Sequence, residues 1–171
     1  MKTKIIICFI ALGLLAGCGA NRKPYDNSLD KNVTINLVQG EDSKGGFFDS
    51  KLGFFASVDI VAGVNDLDDR CRTKYKGYVD LEPGDTKIGL KPDQLTYLMV
   101  EVTKSASGGS SSFSEGTLIK PKKGYKYELH MNYSDGMSDL KLYEIRKSKK
   151  TKMKMFPLAA CKPKGAQSVT P

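Results

Sequence analysis

The chain has 171 residues, with 27 basic and 19 acidic side chains, a formal charge of +8, four cysteines and one histidine. That length is the size of one domain with one core. The single His130 argues against a Cys/His zinc centre and leaves a histidine-based catalytic set without a second candidate, while the positive excess favours anionic partners.

In chain order, Lys2 and Lys4 precede an apolar run from Ile5 to Ala16. A helix of that run reaches only ~18 Å at ~1.5 Å per residue, against a hydrocarbon core of ~30 Å, so the pattern predicts a cleaved signal and not a span. Leu15-Ala16-Gly17-Cys18 closes it and resembles the lipobox of bacterial lipoproteins. The resemblance implies that residues 1–17 are removed and that Cys18 becomes the first residue, with a diacylglycerol on its thiol and a palmitate-type chain on its amine. Several chains hold firmly where one does not, because each buried CH₂ contributes about 0.8 kcal/mol. Gly19 stands where enteric bacteria place the aspartate that retains lipoproteins in the inner membrane, which implies an outer-membrane protein facing the periplasm. The mature chain keeps 154 residues (171 − 17) and loses two lysines, leaving 25 basic against 19 acidic groups, or +6.

Residues 18–31 are polar, contain Pro24 and show no apolar period, so they read as a tether reaching some 40 Å when extended. Residues 32–160 carry the domain. Val33, Ile35 and Leu37 alternate with polar neighbours. Strand-like runs follow at Ala56 to Val64, Tyr75 to Leu81, Thr86 to Leu90 and Leu95 to Thr103, divided by Pro83-Gly84 and Pro92-Asp93. Short turns are expected near Asp66 to Arg70. Ser105 to Ser114 suits either a mobile loop or a weak edge strand. Tyr125, Tyr127, Leu129, Met131 and Tyr133 share one face of a strict period of two, with Lys126, Glu128, His130 and Asn132 on the other. Ser134-Asp135-Gly136 then turns into Met137 to Arg146, a hairpin signal. Lys152 to Phe156 reads as a further strand with one cationic face. Seven to nine short strands predict an all-β fold, an antiparallel two-sheet sandwich of immunoglobulin or transthyretin-like type. The stretch from Leu81 to Val102, with Lys123-Gly124-Tyr125 before a later strand, is similar to small transthyretin-like and PEGA-type envelope sandwiches.

With Cys8 removed and Cys18 acylated, Cys71 and Cys161 remain, and an oxidising envelope predicts a disulfide between them, followed by a tail over 161–171. No Gly-x-Ser-x-Gly elbow occurs among the serines, and His130 on a polar strand face is more simply a structural side chain. Asn65, Asp66, Asp68 and Asp69 are oxygen donors of the kind calcium takes, but the calcium-loop spacing and its terminal Glu are missing, so an acidic turn is expected and no metal. Arg146, Lys147, Lys149, Lys150, Lys152 and Lys154 form the densest charge cluster. It is either a lysine-protected edge or, at Lys149, Lys150, Lys152 and Lys154, an anion-facing patch; without interleaved aromatics it does not suit nucleic acid. These features predict a lipid-anchored, non-enzymatic periplasmic sandwich without a cofactor, held at the membrane by its lipid, that binds or scaffolds another envelope component, a protein partner in the first instance. The alternative is an inhibitor or immunity-type lipoprotein that blocks an envelope enzyme or toxin.

Overall fold

The computed structural model describes residues 23–39, 57–106, 109–134, 137–154, 161, 163 and 164; Cys18 and the segment before it lie outside them. Nine strands form: β1 Val33–Gln39, β2 Ser57–Leu67, β3 Thr73–Asp80, β4 Gly84–Ile88, β5 Thr96–Ala106, β6 Gly109–Ile119, β7 Lys126–Ser134, β8 Met137–Arg146 and β9 Lys149–Lys152. They make two sheets, ordered β4-β1-β7-β8-β9 and β3-β2-β5-β6. The two-sheet sandwich read from the alternation is the fold.

The core lies between the sheets. Ile35, Leu129 and Leu142 sit in one cross-strand row and face Leu98, Val100 and Val102 of the second sheet, all buried. On β7, Tyr127, Leu129 and Met131 point inward as the period of two requires, and Tyr125 packs at the rim of the cluster. The side chain of Tyr133 lies outside the described residues. The second sheet has an outer cluster as well, in which Val61 and Met99 are buried against Tyr78 and Tyr97.

Pairing departs from the sequence reading in several places. β1 runs parallel to β7, with Ile35 opposite Leu129, so the five-stranded sheet is mixed. Alternation is the same in parallel and antiparallel strands, and only the long path from β1 to β7 permits the parallel contact. Of the two expectations for the Ser-rich stretch the edge strand is the one found: it forms the end of β5 and the start of β6, and β6 is an edge strand paired along Ser105↔Ser110 and Val102↔Phe113. β2 continues to Leu67, so the turn near Asp66 begins only at Asp68. β9 covers Lys149–Lys152, upstream of the expected 152–156. Its hairpin with β8 turns through Lys147 and Ser148, both at positive φ (44° and 66°), the two-residue geometry usually filled by Asn-Gly.

The largest difference concerns the tether. From Lys23 onward it lies on the domain. Tyr78 N donates to Lys23 O at 3.0 Å and Tyr25 N donates to Tyr78 O at 2.8 Å, so Pro24 pairs in parallel with β3. Tyr25 packs against the core and donates its hydroxyl to Gly89 O at 2.7 Å. Asn27 Oδ1 accepts from Gly89 N at 2.9 Å, and Asn32 bonds both backbone groups of Leu90. The segment thus crosses from the β3 edge of one sheet to the β4 edge of the other. Gly77 and Gly89 permit the approach: a Cβ at Gly77 would meet Tyr25 backbone at 2.6 Å, and one at Gly89 would meet Leu29 O at 2.4 Å.

Candidate anion-facing interface

The outer face of the five-stranded sheet carries one compact set of polar side chains. Glu128 and His130 are two residues apart on β7 and therefore share a face. Their side chains meet at 2.9 Å, Glu128 Oε2 to His130 Nε2. Lys150 of β9 donates to Glu128 Oε2, lies 3.1 Å from His130 Nε2 and sits 4.5 Å from the centre of the Tyr143 ring. The His130 ring meets Tyr143 edge-on at 5.0 Å. The hydrogen bond from Lys150, followed by that from His130, holds the Glu128 carboxyl below its ordinary value.

A pH dependence follows. A lowered carboxylate pKa contributes stability that is present above the unfolded value, about 4.3, and is lost as pH falls through the folded value. Glu128→Gln should therefore flatten the acid limb of the unfolding curve below about pH 5, by about 1 kcal/mol or less because the partners are partly exposed and screened. Superimposable acid limbs for wild type and variant would show that the cluster contributes nothing to folding.

Lys149, Lys150, Lys152 and Lys154 are all exposed, the first three on the edge strand β9. They do not act as four equivalent charges, since Lys150 is paired with Glu128. A broader basic surface forms where the loops at one end of the sandwich come together. Leu67 N donates to Leu95 O at 2.9 Å and Asp93 N to Pro121 O at 2.7 Å, while Tyr127 N bonds Asn32 O at 2.8 Å. These bonds bring the β2–β3, β4–β5 and β6–β7 loops to the end where the β8–β9 turn lies. The first loop presents Arg70 and Arg72, the second Lys91, the third Lys120, Lys122 and Lys123, and the turn Arg146, Lys147 and Lys149, all exposed.

Packing explains part of this surface. Lys122 Nζ and the Arg146 guanidinium sit 5.2 and 5.3 Å from the Tyr125 ring centre. Lys122 Nζ also bonds Glu144 Oε2 at 3.0 Å, which raises its pKa, and its backbone N–H donates to the Tyr127 hydroxyl at 3.0 Å. The β6–β7 loop is thereby fixed to β8. Acids at this end are fewer. Asp68 Oδ1 accepts from Arg70 N and Arg72 N at 2.9 Å each, and its other oxygen accepts from Arg72 Nε at 2.6 Å. The bond from Arg72 N leads the effects that lower the Asp68 pKa. Around the β3–β4 turn, at the opposite end, stand Asp80, Glu82 and Asp85.

The oxygen donors Asn65, Asp66, Asp68 and Asp69 do not converge. Asn65 is fully buried in β2, whereas Asp66 faces Lys76 at 3.8 Å and Asp68 ties its own loop. Among the described residues no group of three or more His, Cys, Asp or Glu side chains is arranged to hold a metal ion. Beside the disulfide a depression of about 1100 Å³ is lined by Asp66, Asp68, Arg72, Lys74, Gln94 and Lys120, charges of both signs. The sequence showed only parts of the basic end, the cluster from Arg146 to Lys149 and the Lys120-Pro-Lys-Lys run, because its members are separated by up to about 80 residues. No family model, curated protein or solved structure matches the chain.

Proposed function

We propose that the chain is a lipid-anchored envelope protein, held through Cys18, whose β-sandwich binds an anionic component of that envelope without catalysing a reaction. The observation that carries this reading is the gathering of exposed lysines and arginines from four separate connections at one end of the sandwich. Burial of the core does not require them. The lipobox supplies the anchor, and Gly19 supports the outer membrane, with the domain in the periplasm.

The test of the anchor is direct. Cys18→Ser removes the acyl acceptor and should move the protein from the membrane to the soluble fraction. Retention of the variant on membranes through high-salt and carbonate washes overturns the lipoprotein reading. A second reading, an inhibitor of an envelope enzyme or toxin, is favoured by the edge strand β6, where Ser110, Ser111 and Ser112 are exposed and no lysine guards the strand. Such an edge suits addition of an extended segment from a partner. Stoichiometric recovery of one enzyme with the solubilised protein would favour it.

A further inference from the structure

We infer that the basic end of the sandwich rests on the anionic phospholipid headgroups of the leaflet that carries the anchor; this rests on the lipid anchor proposed above. The argument begins with chain length. Lys23, the first described residue and one bonded to Tyr78, is five steps along the chain from Cys18, with four residues between them. Fully extended, those steps span at most ~18 Å. A bilayer holding Cys18 is therefore within about that distance of Lys23, which is bonded to Tyr78 of β3, and the domain cannot stand off on the 40 Å tether that residues 18–31 would otherwise allow.

Direction and charge then select which part meets the membrane. Lys23 to Tyr25 run parallel to β3, so Lys23 lies on the side of Tyr25 that faces Thr73, where β3 begins. Thr73 follows directly on the β2–β3 loop of Arg70 and Arg72. The five steps of β3 from Tyr78 back to Thr73 cover ~17 Å, within the ~18 Å that the link to Cys18 can span, so the anchor can sit level with the basic loops. The acidic turn with Asp80, Glu82 and Asp85 lies at the other end of β3, and anionic headgroups repel it. Arg22, next to Lys23 in sequence, adds a charge of the same sign to the link. Polybasic surfaces beside a lipid anchor supply the second membrane signal that a short acyl attachment lacks, and their attraction acts only within about a Debye length of the surface.

The experiment uses the full mature acylated protein in liposomes of phosphatidylcholine alone or of phosphatidylcholine with phosphatidylglycerol at three to one. A membrane-impermeant amine reagent is applied, and labelling at each lysine is read by mass spectrometry. Phosphatidylglycerol should slow labelling of Lys122, Lys123, Lys147 and Lys149 several-fold while leaving Lys141, midway along β8 and away from the basic loops, unchanged. The protection should disappear in 1 M salt, where the Debye length falls to ~3 Å. Acylated protein with equal rates in both liposomes, or with Lys141 protected as strongly as the loop lysines, overturns the orientation and leaves the anchor standing. Protein whose N-terminal peptide lacks the acyl mass overturns the anchor, and the orientation with it.

Discussion

Replacing Leu129 by alanine should lower the unfolding free energy by about 2–5 kcal/mol. Leu129 is 0% exposed and lies on β7, the middle strand of the five-stranded sheet, between Ile35 of β1 and Leu142 of β8. Truncation removes its transfer free energy and leaves a cavity between the sheets against β7, a strand hydrogen-bonded on both sides. The surroundings therefore relax little, which places the cost in the upper part of the range for such changes. Val38, on the outer face of β1 and 48% exposed, is the matched control. Val38→Ala should change stability by about 0.5 kcal/mol or less. Urea unfolding followed by circular dichroism separates the two. Equal shifts in midpoint for both variants would mean that the strand faces are misassigned.

The disulfide should contribute on a similar scale. Cys71 and Cys161 are bonded with Cα atoms 5.6 Å apart across 90 residues of chain. The chain-entropy treatment gives about 4–5 kcal/mol for a loop of that length, and native disulfides in small domains typically contribute 2–5 kcal/mol. Cys71→Ser combined with Cys161→Ser should therefore lower stability by about 2–5 kcal/mol. The structure adds a local signature. Cys161 is buried against Leu67 and Leu118, and Lys164 pairs with the start of β3, where Thr73 N and Thr73 Oγ1 donate to Lys164 O at 3.1 and 2.8 Å and Lys164 N donates to Cys71 O at 3.0 Å. Losing the bond should expose the Thr73 amide to hydrogen exchange before the global transition. Unchanged exchange at Thr73, together with an unchanged midpoint, would show that packing of the C-terminal segment suffices without the sulfur bridge.

Stability and surface charge are distributed differently over this molecule. Side chains such as Leu129 act through the buried space between the sheets, while the cationic groups of Lys122 and Arg146 lie against Tyr125 at the rim, on residues that stay exposed. Substitutions among the basic loops should accordingly alter attachment to anionic surfaces more than folding, because exposed charges contribute little to the folded state but add to a common field.

Much of the fold was legible in the sequence because a strand records its faces in a period of two. Tyr127, Leu129 and Met131 against Glu128 and His130 announced β7 with its inner and outer sides. The Asp135-Gly136 pair in the sequence announced the β7–β8 hairpin, in which Ser134 pairs with Met137. The cysteine pair could be named by elimination, since a disulfide needs only partners and an oxidising setting. The β8–β9 hairpin was harder to read, since Lys147 and Ser148 occupy left-handed positions with none of the residues that usually mark them. Nor did local pattern distinguish the parallel β1–β7 pairing, because alternation is blind to strand direction.

What only the tertiary structure decided is where distant segments meet. Polar composition made residues 23–31 look like free tether, yet Tyr25 packs against the core, and glycines at 77 and 89 leave room for the backbone of Tyr25 and of Leu29 respectively. Lys150 belonged to a linear run of cations until the β8–β9 pairing set it on Glu128. The basic end arises in the same way, from loops that share no sequence neighbourhood and are joined by bonds such as Asp93 N to Pro121 O. Side-chain periodicity is a local property of the backbone and survives in the sequence. The field of a surface depends on through-space distances, which only the closed sandwich fixes.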